Sequence, residues 1–382
     1  MVRTVGLEEE LLLVDPVTRE VAPVAQQVLK VHREHGRGRL GTEAAADDLD
    51  QELFRHQVET RTDPATDLAD ALAQVVEARR TAGEAATAAG VAIVACGIAP
   101  LGSNLTEVSP SSRYRDMVET YGEVASGGGT CGMHVHVGIE SEEEGVAVID
   151  RVAPWLPVLL AVSANSPYFR GHDSGHASWR SQVWSRWPSA GPTEQFRSLE
   201  GYREACRALL DSGAARDDGM LYFDARLSVG QPTVELRVFD VCTDPADAVL
   251  LAALGRGLVE TAARAWTAGE GPAVWRAEAL RGAQWRAARH GLSGSLVHPL
   301  RRELRSAREV LTDLVDLVRP VLEEAGDLDR VRAGVERVTA GGGAVRQRAA
   351  YERTGAVSGV VDDLLARTEA SWNPSLETPS RA

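Results

Sequence analysis

Apolar and polar residues alternate over several short segments in the first 240 residues, whereas most of the chain after residue 246 repeats its apolar positions with a helical period. A two-residue period is typical of a strand with one buried face, and a period near 3.6 residues is typical of a helix packed on a core. The pattern predicts strands at residues 2–14, 51–60, 91–96, 132–137 and 220–240, the last as a pair. It predicts helices at residues 21–35, 66–88, 113–121, 142–163 and 195–211, and through most of the chain from 246 onward.

The order of these elements indicates the fold class. Strands come first and helices later, without regular βαβ alternation, so we expect an α+β fold in which helices surround an antiparallel sheet platform. Residues 165–192 are rich in glycine, proline and tryptophan and are predicted to form a long irregular loop, the kind of segment that is usually functional or mobile. Without an internal repeat or a clear linker, residues 1–372 are predicted to form a single domain, and residues 373–382 a disordered tail.

Composition narrows the class of protein. The chain has 382 residues, a 44% apolar share and a formal net charge of −14, and this acidity argues against nucleic-acid binding, which relies on clustered cations. Acids at residues 8–10 stand where a signal peptide needs an apolar run, and no stretch of about 20 apolar residues follows. The four cysteines lie far apart without a Cys-x-x-Cys pair, which fits a reducing compartment. We therefore expect a cytoplasmic protein that binds neither nucleic acid nor membrane.

Three of the predicted strands each place two chemistry-bearing side chains on one face, because residues i and i+2 of a strand point the same way. These pairs are Glu8 with Glu10, His134 with His136, and Glu235 with Arg237. A carboxylate on a buried strand is strongly unfavourable unless it is paired or bound to a cation. Each pair also has a structural alternative: a solvated strand face for the glutamates, a hydrogen-bonded core for the histidines, and a salt bridge for the third pair.

The three pairs together indicate a site for metal and phosphate. Carboxylate oxygens are the ligands that Mg²⁺ and Mn²⁺ prefer, one imidazole is tolerated, and a guanidinium can donate two hydrogen bonds to phosphoryl oxygens. Lys30 is the only lysine of the chain and stands outside any Gly-x-x-x-x-Gly-Lys motif, so a P-loop is excluded. Side by side, the three strands would form a nucleotide-phosphate site built from acids, histidine and arginine.

Six short motifs give the chain a family resemblance over about residues 3 to 355. They are Gly-x-Glu-x-Glu at 6–10, Gly-Met-His-Val-His at 132–136, Asn-Ser-Pro at 165–167, Trp-Arg-Ser at 179–181, Glu-Leu-Arg-Val-Phe-Asp at 235–240 and Arg-Gln-Arg at 346–348. In this order they make the chain resemble the glutamate–cysteine ligase type 2 family of carboxylate–amine ligases, and more distantly glutamine synthetase. The resemblance implies a glutamine synthetase-like catalytic fold and an ATP-dependent, ADP-forming reaction with Mg²⁺ or Mn²⁺.

The resemblance also implies roles for individual residues. One metal would be held by Glu8, His134 and Glu235, and another by Glu10, Glu52 and Glu59. Arg237 would stabilise the transferred phosphoryl group, with Glu235 beside it in the catalytic machinery. Glu52 and Glu59 are seven residues apart, on opposite faces of an ideal strand, so we expect either a bulge or bend between them or a turn at Glu52.

Further side chains are candidates for contacts with nucleotide or substrate. His136 points in the right direction to contact a nucleotide. Arg346 and Arg348 follow a glycine run whose backbone amides, together with these guanidiniums, would surround phosphates. The alternative is that this run is a plain interhelical linker. Arg180 and Arg186, in the tryptophan-bearing loop, are candidates for holding a substrate carboxylate. Their alternative is packing against the indole rings.

The reaction implied by the resemblance joins an acid to an amine. The γ-carboxylate of glutamate, or of a similar acid, would accept the γ-phosphoryl group of ATP, and an amino group such as that of cysteine would attack the acyl phosphate. The expected partners are therefore small molecules, and a homodimer is the commonest expectation for the assembly. Two alternatives stay open: a cupin-type metalloenzyme, since Gly128, His134, His136 and Glu140 reproduce part of that motif, and a relative that binds ATP without catalysis.

Overall fold

The computed structural model of the chain describes residues 2–39, 49–102, 107–125 and 129–373. Its strands are β1 (Val5–Val14), β2 (Leu49–Gln51), β3 (Gln57–Arg61), β4 (Ala92–Val94), β5 (Gly132–Gly138), β6 (Tyr168–Phe169), β7 (His172–Asp173), β8 (Ala225–Leu227), β9 (Thr233–Asp240), β10 (Ser295–Val297) and β11 (Leu304–Ser306). Its helices are α1 (Ala25–Arg39), α2 (Leu68–Ala88), α3 (Ser112–Tyr121), α4 (Glu142–Val152), α5 (Leu156–Ser163), α6 (Trp179–Trp184), α7 (Leu199–Asp211), α8 (Pro245–Thr267), α9 (Ala277–His290), α10 (Ala307–Ala325), α11 (Leu328–Gly341), α12 (Gly343–Thr354) and α13 (Val357–Ala370).

Seven of these strands form one antiparallel sheet. Its order is β2-β3-β1-β5-β9-β8, and β4 pairs with the end of β1. Along β1 the side chains alternate, so that Leu7 and Leu11 are buried on one face while Glu8 and Glu10 lie on the other. Helices α2, α4, α5 and α8 pack against the sheet and complete its hydrophobic core. The predicted α+β fold with an antiparallel platform is confirmed, and the acid-bearing face is the one that carries the site.

One acid of β1 lies on the apolar face and is paired there. Arg79 of α2 donates Nε and Nη2 to the two carboxylate oxygens of Glu9, at 2.8 and 2.6 Å, and the two side chains are 0% and 2% exposed. The same guanidinium donates to the backbone carbonyls of Cys242 and Thr243, at 2.6 and 2.7 Å. Because both charges and all these donors are satisfied, the pair fastens α2 and the start of α8 to the back of the sheet.

Local structure differs from the predicted elements in four places. The predicted strand at 51–60 is two strands, β2 and β3, separated by a turn. The predicted helix at 142–163 breaks into α4 and α5 around Pro154, which has no N–H to continue the helical hydrogen bonds. The loop at 165–192 contains the β6–β7 hairpin and helix α6, and the hairpin of β10 and β11 interrupts the half predicted to be helical.

The segment Glu142–Ser163, which includes α4 and α5, has the length and apolar composition of a membrane span, but 83% of its apolar window is buried inside the protein. That is the pattern of a core helix. The four cysteines are free thiols and are all buried. Apart from Asn373, the predicted tail at 373–382 lies outside the described residues, and the single domain over 1–372 stays a prediction.

Candidate active site

The strand register brings the paired side chains of the three strands together on one face of the sheet. Cross-strand neighbours are Glu8 with His134 and with Arg61, Glu10 with Glu59, and His136 with Glu235. Between Met133 and Val135 the pairing of β5 with β9 shifts by one residue, a bulge that moves Arg237 toward His134. Eight of the predicted site residues therefore occupy one continuous patch.

Glu8, His134, His136 and Glu235 form the first group, here called the histidine cluster. His134 Nδ1 lies 3.0 Å from Glu8 Oε2 and 3.7 Å from Glu235 Oε1, and His136 Nε2 lies 3.6 Å from Glu8 Oε1. Burial would raise the pKa of Glu8, but the imidazoles of His134 and His136 outweigh it and hold this pKa far below its usual range. Burial and the nearby Arg237 lower the pKa of His134, which favours the neutral imidazole, the form that ligates a metal.

Glu10, Glu52 and Glu59 form the second group, here called the acid cluster. Glu52 lies in the turn after β2, which is one of the two arrangements that the seven-residue spacing predicted. Burial and the charge of Glu10 raise the pKa of Glu52 to about 7, and burial together with Glu52 and Glu8 raises the pKa of Glu59 well above its usual value. The acid cluster thus holds more negative charge than its surroundings neutralise, which is the electrostatic condition of a cation site.

Glu235 is held between two guanidiniums. Arg226 of β8 donates Nε to Glu235 Oε2 at 2.7 Å, and Arg237 Nη1 donates to Glu235 Oε1. Although burial opposes ionisation, Arg237, His134 and Arg226 together lower the pKa of Glu235 to about 2. Glu235 is therefore a fixed carboxylate at any physiological pH.

The two clusters have the donor chemistry of divalent-metal sites. Within three sets the ligand atoms lie within 4.8 Å of one another: Glu8, His136 and Glu235; Glu8, Glu59 and His134; and Glu10, Glu52 and Glu59. Two buried nitrogens at the site, Arg237 Nε and His136 Nε2, have no hydrogen-bond partner among the described residues. Carboxylates with one imidazole suit Mg²⁺ or Mn²⁺, and the unpaired Nε–H of Arg237 suits an anionic ligand, so these residues fit a metal and a phosphate group.

Two cavities open at this patch, and Glu8 is the one side chain among the described residues that lines both. The small cavity, of about 200 Å³, is lined by the acid cluster together with His134, Arg226 and Arg237. The large cavity, of about 1010 Å³, runs past His136 and Arg61 to the end of α8. Of the histidine cluster, His134 lines the small cavity and His136 the large one, Glu8 lines both, and Glu235 lies buried between its partners without lining either.

Four predicted contact residues are not brought to either cavity. Arg346 donates to Asp247 and to the carbonyl of Gly341, both at 2.9 Å. Arg348 makes a two-point pair with Asp173 of the β6–β7 hairpin, at 2.8 and 3.0 Å. The glycine run before them separates α11 from α12, so in this structure these arginines join elements, in keeping with the linker alternative.

Arg180 and Arg186 lie in and just after α6. The Arg180 side chain is buried under the sheet patch, against Gly132, and its guanidinium lies 5.6 Å from the Trp184 ring centroid, as the packing alternative predicted. Arg186 is exposed and lies outside the lining of both cavities. Neither guanidinium reaches the small cavity in this structure.

Several residues that line the cavities were missed from the sequence. Arg61 follows Glu59 by two residues and so shares its face, a signal that was available. Arg226, Arg113 and Tyr222 gave no such signal, because their place depends on which strands and loops become neighbours. Pairing of β8 with β9, which sets Arg226 opposite Glu235, is not readable from a three-residue strand.

Comparisons with known proteins place the chain among ligases that form carbon–nitrogen bonds. The profile of glutamate-cysteine ligase family 2 matches residues 4–366. A protein of Nocardioides sp. is 68% identical over 372 residues, covering 97% of each chain, and one of Streptomyces coelicolor is 47% identical over 370 residues, covering 97% of this chain and 100% of its own. Both carry glutamate–cysteine ligase 2 names of provisional status. The chain belongs to glutamate–cysteine ligase family 2, as the motif resemblance implied, and the cupin alternative is wrong.

Solved structures show the same fold. A bifunctional glutathione synthetase from Pasteurella multocida matches with a TM-score of 0.68 at 15% identity; the match covers 97% of this chain and 52% of that one, so this chain spans about half its length. A glutamate–cysteine ligase from Francisella tularensis, solved in complex with AMP, matches with a TM-score of 0.65 at 12% identity over 99% of this chain and 90% of its own. At these identities the likeness is one of fold.

Proposed function

We propose that the protein is an ATP-dependent, ADP-forming carboxylate–amine ligase that joins the γ-carboxylate of glutamate, or of a similar acid, to an amino group such as that of cysteine. The observation that carries this proposal is that Glu8 lines both cavities, with His134 and the acid cluster in the small one and His136 in the large one. The large cavity has room for a nucleotide, since ligand pockets are typically about 300–1000 Å³. The AMP complex of the Francisella ligase supports nucleotide binding on this fold.

In this proposal each cluster has a separate task. Glu8, His134 and Glu235 hold one divalent metal on the nucleotide side, and the acid cluster holds another beside the substrate acid. The metals supply positive charge that neutralises the phosphates and the carboxylate that must approach them. His136 orients the nucleotide phosphates from the large cavity, and Arg237 donates hydrogen bonds to the phosphoryl oxygens during transfer.

The reaction needs no nucleophilic side chain. A carboxylate oxygen of the acid forms a bond to the γ-phosphorus, and the bond to ADP breaks with its electron pair leaving on ADP. The amine nitrogen then forms a bond to the acyl carbon, phosphate leaves with the electron pair of the broken C–O bond, and the nitrogen releases a proton. The side chains of the patch position two anions and offset their repulsion, which is the main barrier to such a transfer.

The test is a screen of acids against amines with ATP and Mg²⁺ or Mn²⁺, measured as release of ADP and phosphate. We expect release that requires both the acid and the amine. Binding of ATP and metal without turnover across a broad panel would instead identify a non-catalytic relative. Failure to bind ATP would overturn the proposal.

A further inference from the structure

Arg61, at the end of β3, pairs with an acid of each cluster. Its Nη2 donates to Glu59 Oε2 at 2.7 Å, and its Nε lies 3.6 Å from Glu8 Oε1. Its Nη1 donates to Asp50 Oδ2 at 2.9 Å. Glu59 belongs to the acid cluster and Glu8 to the histidine cluster, so this guanidinium bridges two carboxylates to which the proposed function gives metals.

A bound metal and the Arg61 guanidinium compete for these carboxylates. A divalent cation carries twice the charge of a guanidinium and approaches an oxygen ligand to about 2.1 Å in the case of Mg²⁺. It would therefore weaken the hold of Glu8 and Glu59 on Arg61 and repel the guanidinium directly. Among the described residues only Asp50 then remains as a partner. Its side chain is 52% exposed, and an exposed pair contributes little to holding an arginine in place.

The space beside Arg61 is the large cavity. The Arg61 side chain is 45% exposed and lines that cavity, as His136 does. In the sheet register Arg61 lies opposite Glu8 on one side of β1, and His136 lies opposite Gly6 on the other side. Gly6 shares the face of Glu8 and has no side chain to fill the floor between them. A phosphate on this floor would lie within reach of both Arg61 and His136.

We propose that Arg61 binds the nucleotide phosphates in the large cavity, and that a metal bound by the two clusters releases it to do so. Without metal, the guanidinium stays on Glu8 and Glu59. With metal, it turns to a phosphate, to which it can donate two hydrogen bonds. The inference rests on the proposed function, which puts the nucleotide in this cavity. Metal and nucleotide then favour each other's binding through one side chain.

Arg61→Gln in the full-length protein tests both parts of the proposal by calorimetric titration. Mn²⁺ added alone should bind about tenfold more tightly than to the wild type, because the competing cation is gone. A non-hydrolysable ATP analogue added to protein saturated with Mn²⁺ should bind about tenfold more weakly, the effect of losing a hydrogen bond between charged groups. In chelator, without metal, the analogue should bind the variant and the wild type equally, because Arg61 is then occupied by carboxylates.

Two further variants complete the test. Arg203→Gln removes an exposed pair with Glu142 and lies outside the lining of both cavities, so it should change neither affinity. Arg61→Lys keeps the competing charge but loses the planar fork, so Mn²⁺ should bind as in the wild type while the analogue binds more weakly. Melting curves show whether each variant folds, and Arg61→Lys supplies the analogue test if Arg61→Gln does not fold.

The outcomes separate this inference from the proposed function. Weaker Mn²⁺ binding by folded Arg61→Gln would show that Arg61 supports the metal ligands and does not compete with the metal. Unaltered analogue binding by a folded Arg61 variant in Mn²⁺ would show that Arg61 does not reach the phosphates. Either result would overturn the inference and leave the proposed function standing. Wild-type protein that binds no ATP would overturn both.

Discussion

Arg226 lies directly opposite Glu235 in the register of β8 and β9. Its Nε and Nη2 donate hydrogen bonds to the two carboxylate oxygens of Glu235, at 2.7 and 3.3 Å. Its remaining nitrogen, Nη1, donates to the backbone carbonyls of Asp218, Gly219 and Leu221 at 3.1 to 3.3 Å. The guanidinium is thus fixed at both ends. It fixes the orientation of the Glu235 carboxylate and ties the loop before Tyr222 to the sheet.

Two substitutions of Arg226 distinguish the effect of its positive charge on metal binding from the effect of the hydrogen bonds by which it orients Glu235. If Arg226 orients Glu235 for a metal, both Arg226→Gln and Arg226→Lys should weaken Mn²⁺ binding, by about 10-fold or more, as is typical for residues that orient a metal ligand. If only charge matters, Arg226→Gln should tighten binding and Arg226→Lys should leave it unchanged. Calorimetric titration with Mn²⁺ distinguishes the two. Arg207→Gln, which removes an exposed pair with Glu200, is the control and should have no effect.

Arg237 should act on the transfer step more than on binding. Removing one fixed donor to a developing charge typically lowers kcat by about 10²–10³, and we expect Arg237→Ala to do so while the affinity for a non-hydrolysable ATP analogue changes little. Glu235→Ala should abolish ADP release and, because it leaves two nearly buried guanidiniums without their carboxylate, should also lower the melting temperature. Steady-state kinetics, analogue binding and melting curves provide the three measurements. Arg216→Ala, which breaks a surface pair with Asp116, should keep full activity. Unaltered kcat in Arg237→Ala would remove this residue from the mechanism.

The buried pair of Glu9 and Arg79 should contribute to the stability of the fold and not to catalysis. Removing one partner of a buried pair costs about 3–5 kcal/mol, so Arg79→Met should lower the free energy of unfolding by that amount in denaturant titrations. Its neighbour Arg80 forms only helix-surface pairs with Glu77 and Glu84, and Arg80→Met should cost under about 1 kcal/mol. Equal losses in the two variants would contradict the assignment.

The raised pKa of Glu52 predicts how stability depends on pH in metal-free protein. Its pKa is about 7 in the folded state against an ordinary value of 4.5, so between these values the folded protein holds a proton that the unfolded chain has released. Stability should therefore fall as pH rises from about 5 to about 7, by at most about 1.4 kcal/mol per unit for this group. Unfolding titrations across this range measure the slope.

Variants and added Mg²⁺ identify which titrating group causes that pH dependence. Glu52→Gln removes one titrating group and should reduce the slope, whereas Glu200→Gln at the surface should leave it unchanged; Glu59 and Asp224, whose pKa values burial also raises, supply the rest. Excess Mg²⁺ should also flatten it, because a bound cation favours the ionised acid cluster. A slope of the same size in Glu52→Gln would show that Glu52 does not contribute to it.

The sequence predicted the patch where the information is local. Strand alternation was enough to place Glu8 with Glu10, His134 with His136, and Glu235 with Arg237, and an antiparallel sheet followed from the order of elements. The placement of other residues depends on contacts between distant segments, which the sequence does not show. Arg346 and Arg348 pair with acids of other elements. Arg226 lies opposite Glu235 because β8 pairs with β9, and β8 is too short to be recognised in the sequence. The metal and substrate roles of the patch remain predictions until they are measured.

Among the described residues, Glu8 is the one side chain that lines both cavities, so the rest of each lining can vary without changing the other. Apart from Glu8, no described side chain of the small cavity's lining also lines the large cavity. Substitutions on α3, α6 or the loop before β8 can therefore change the small cavity without touching the cavity that would receive the nucleotide. One scaffold could in this way serve a series of enzymes that share an energy source and differ in product.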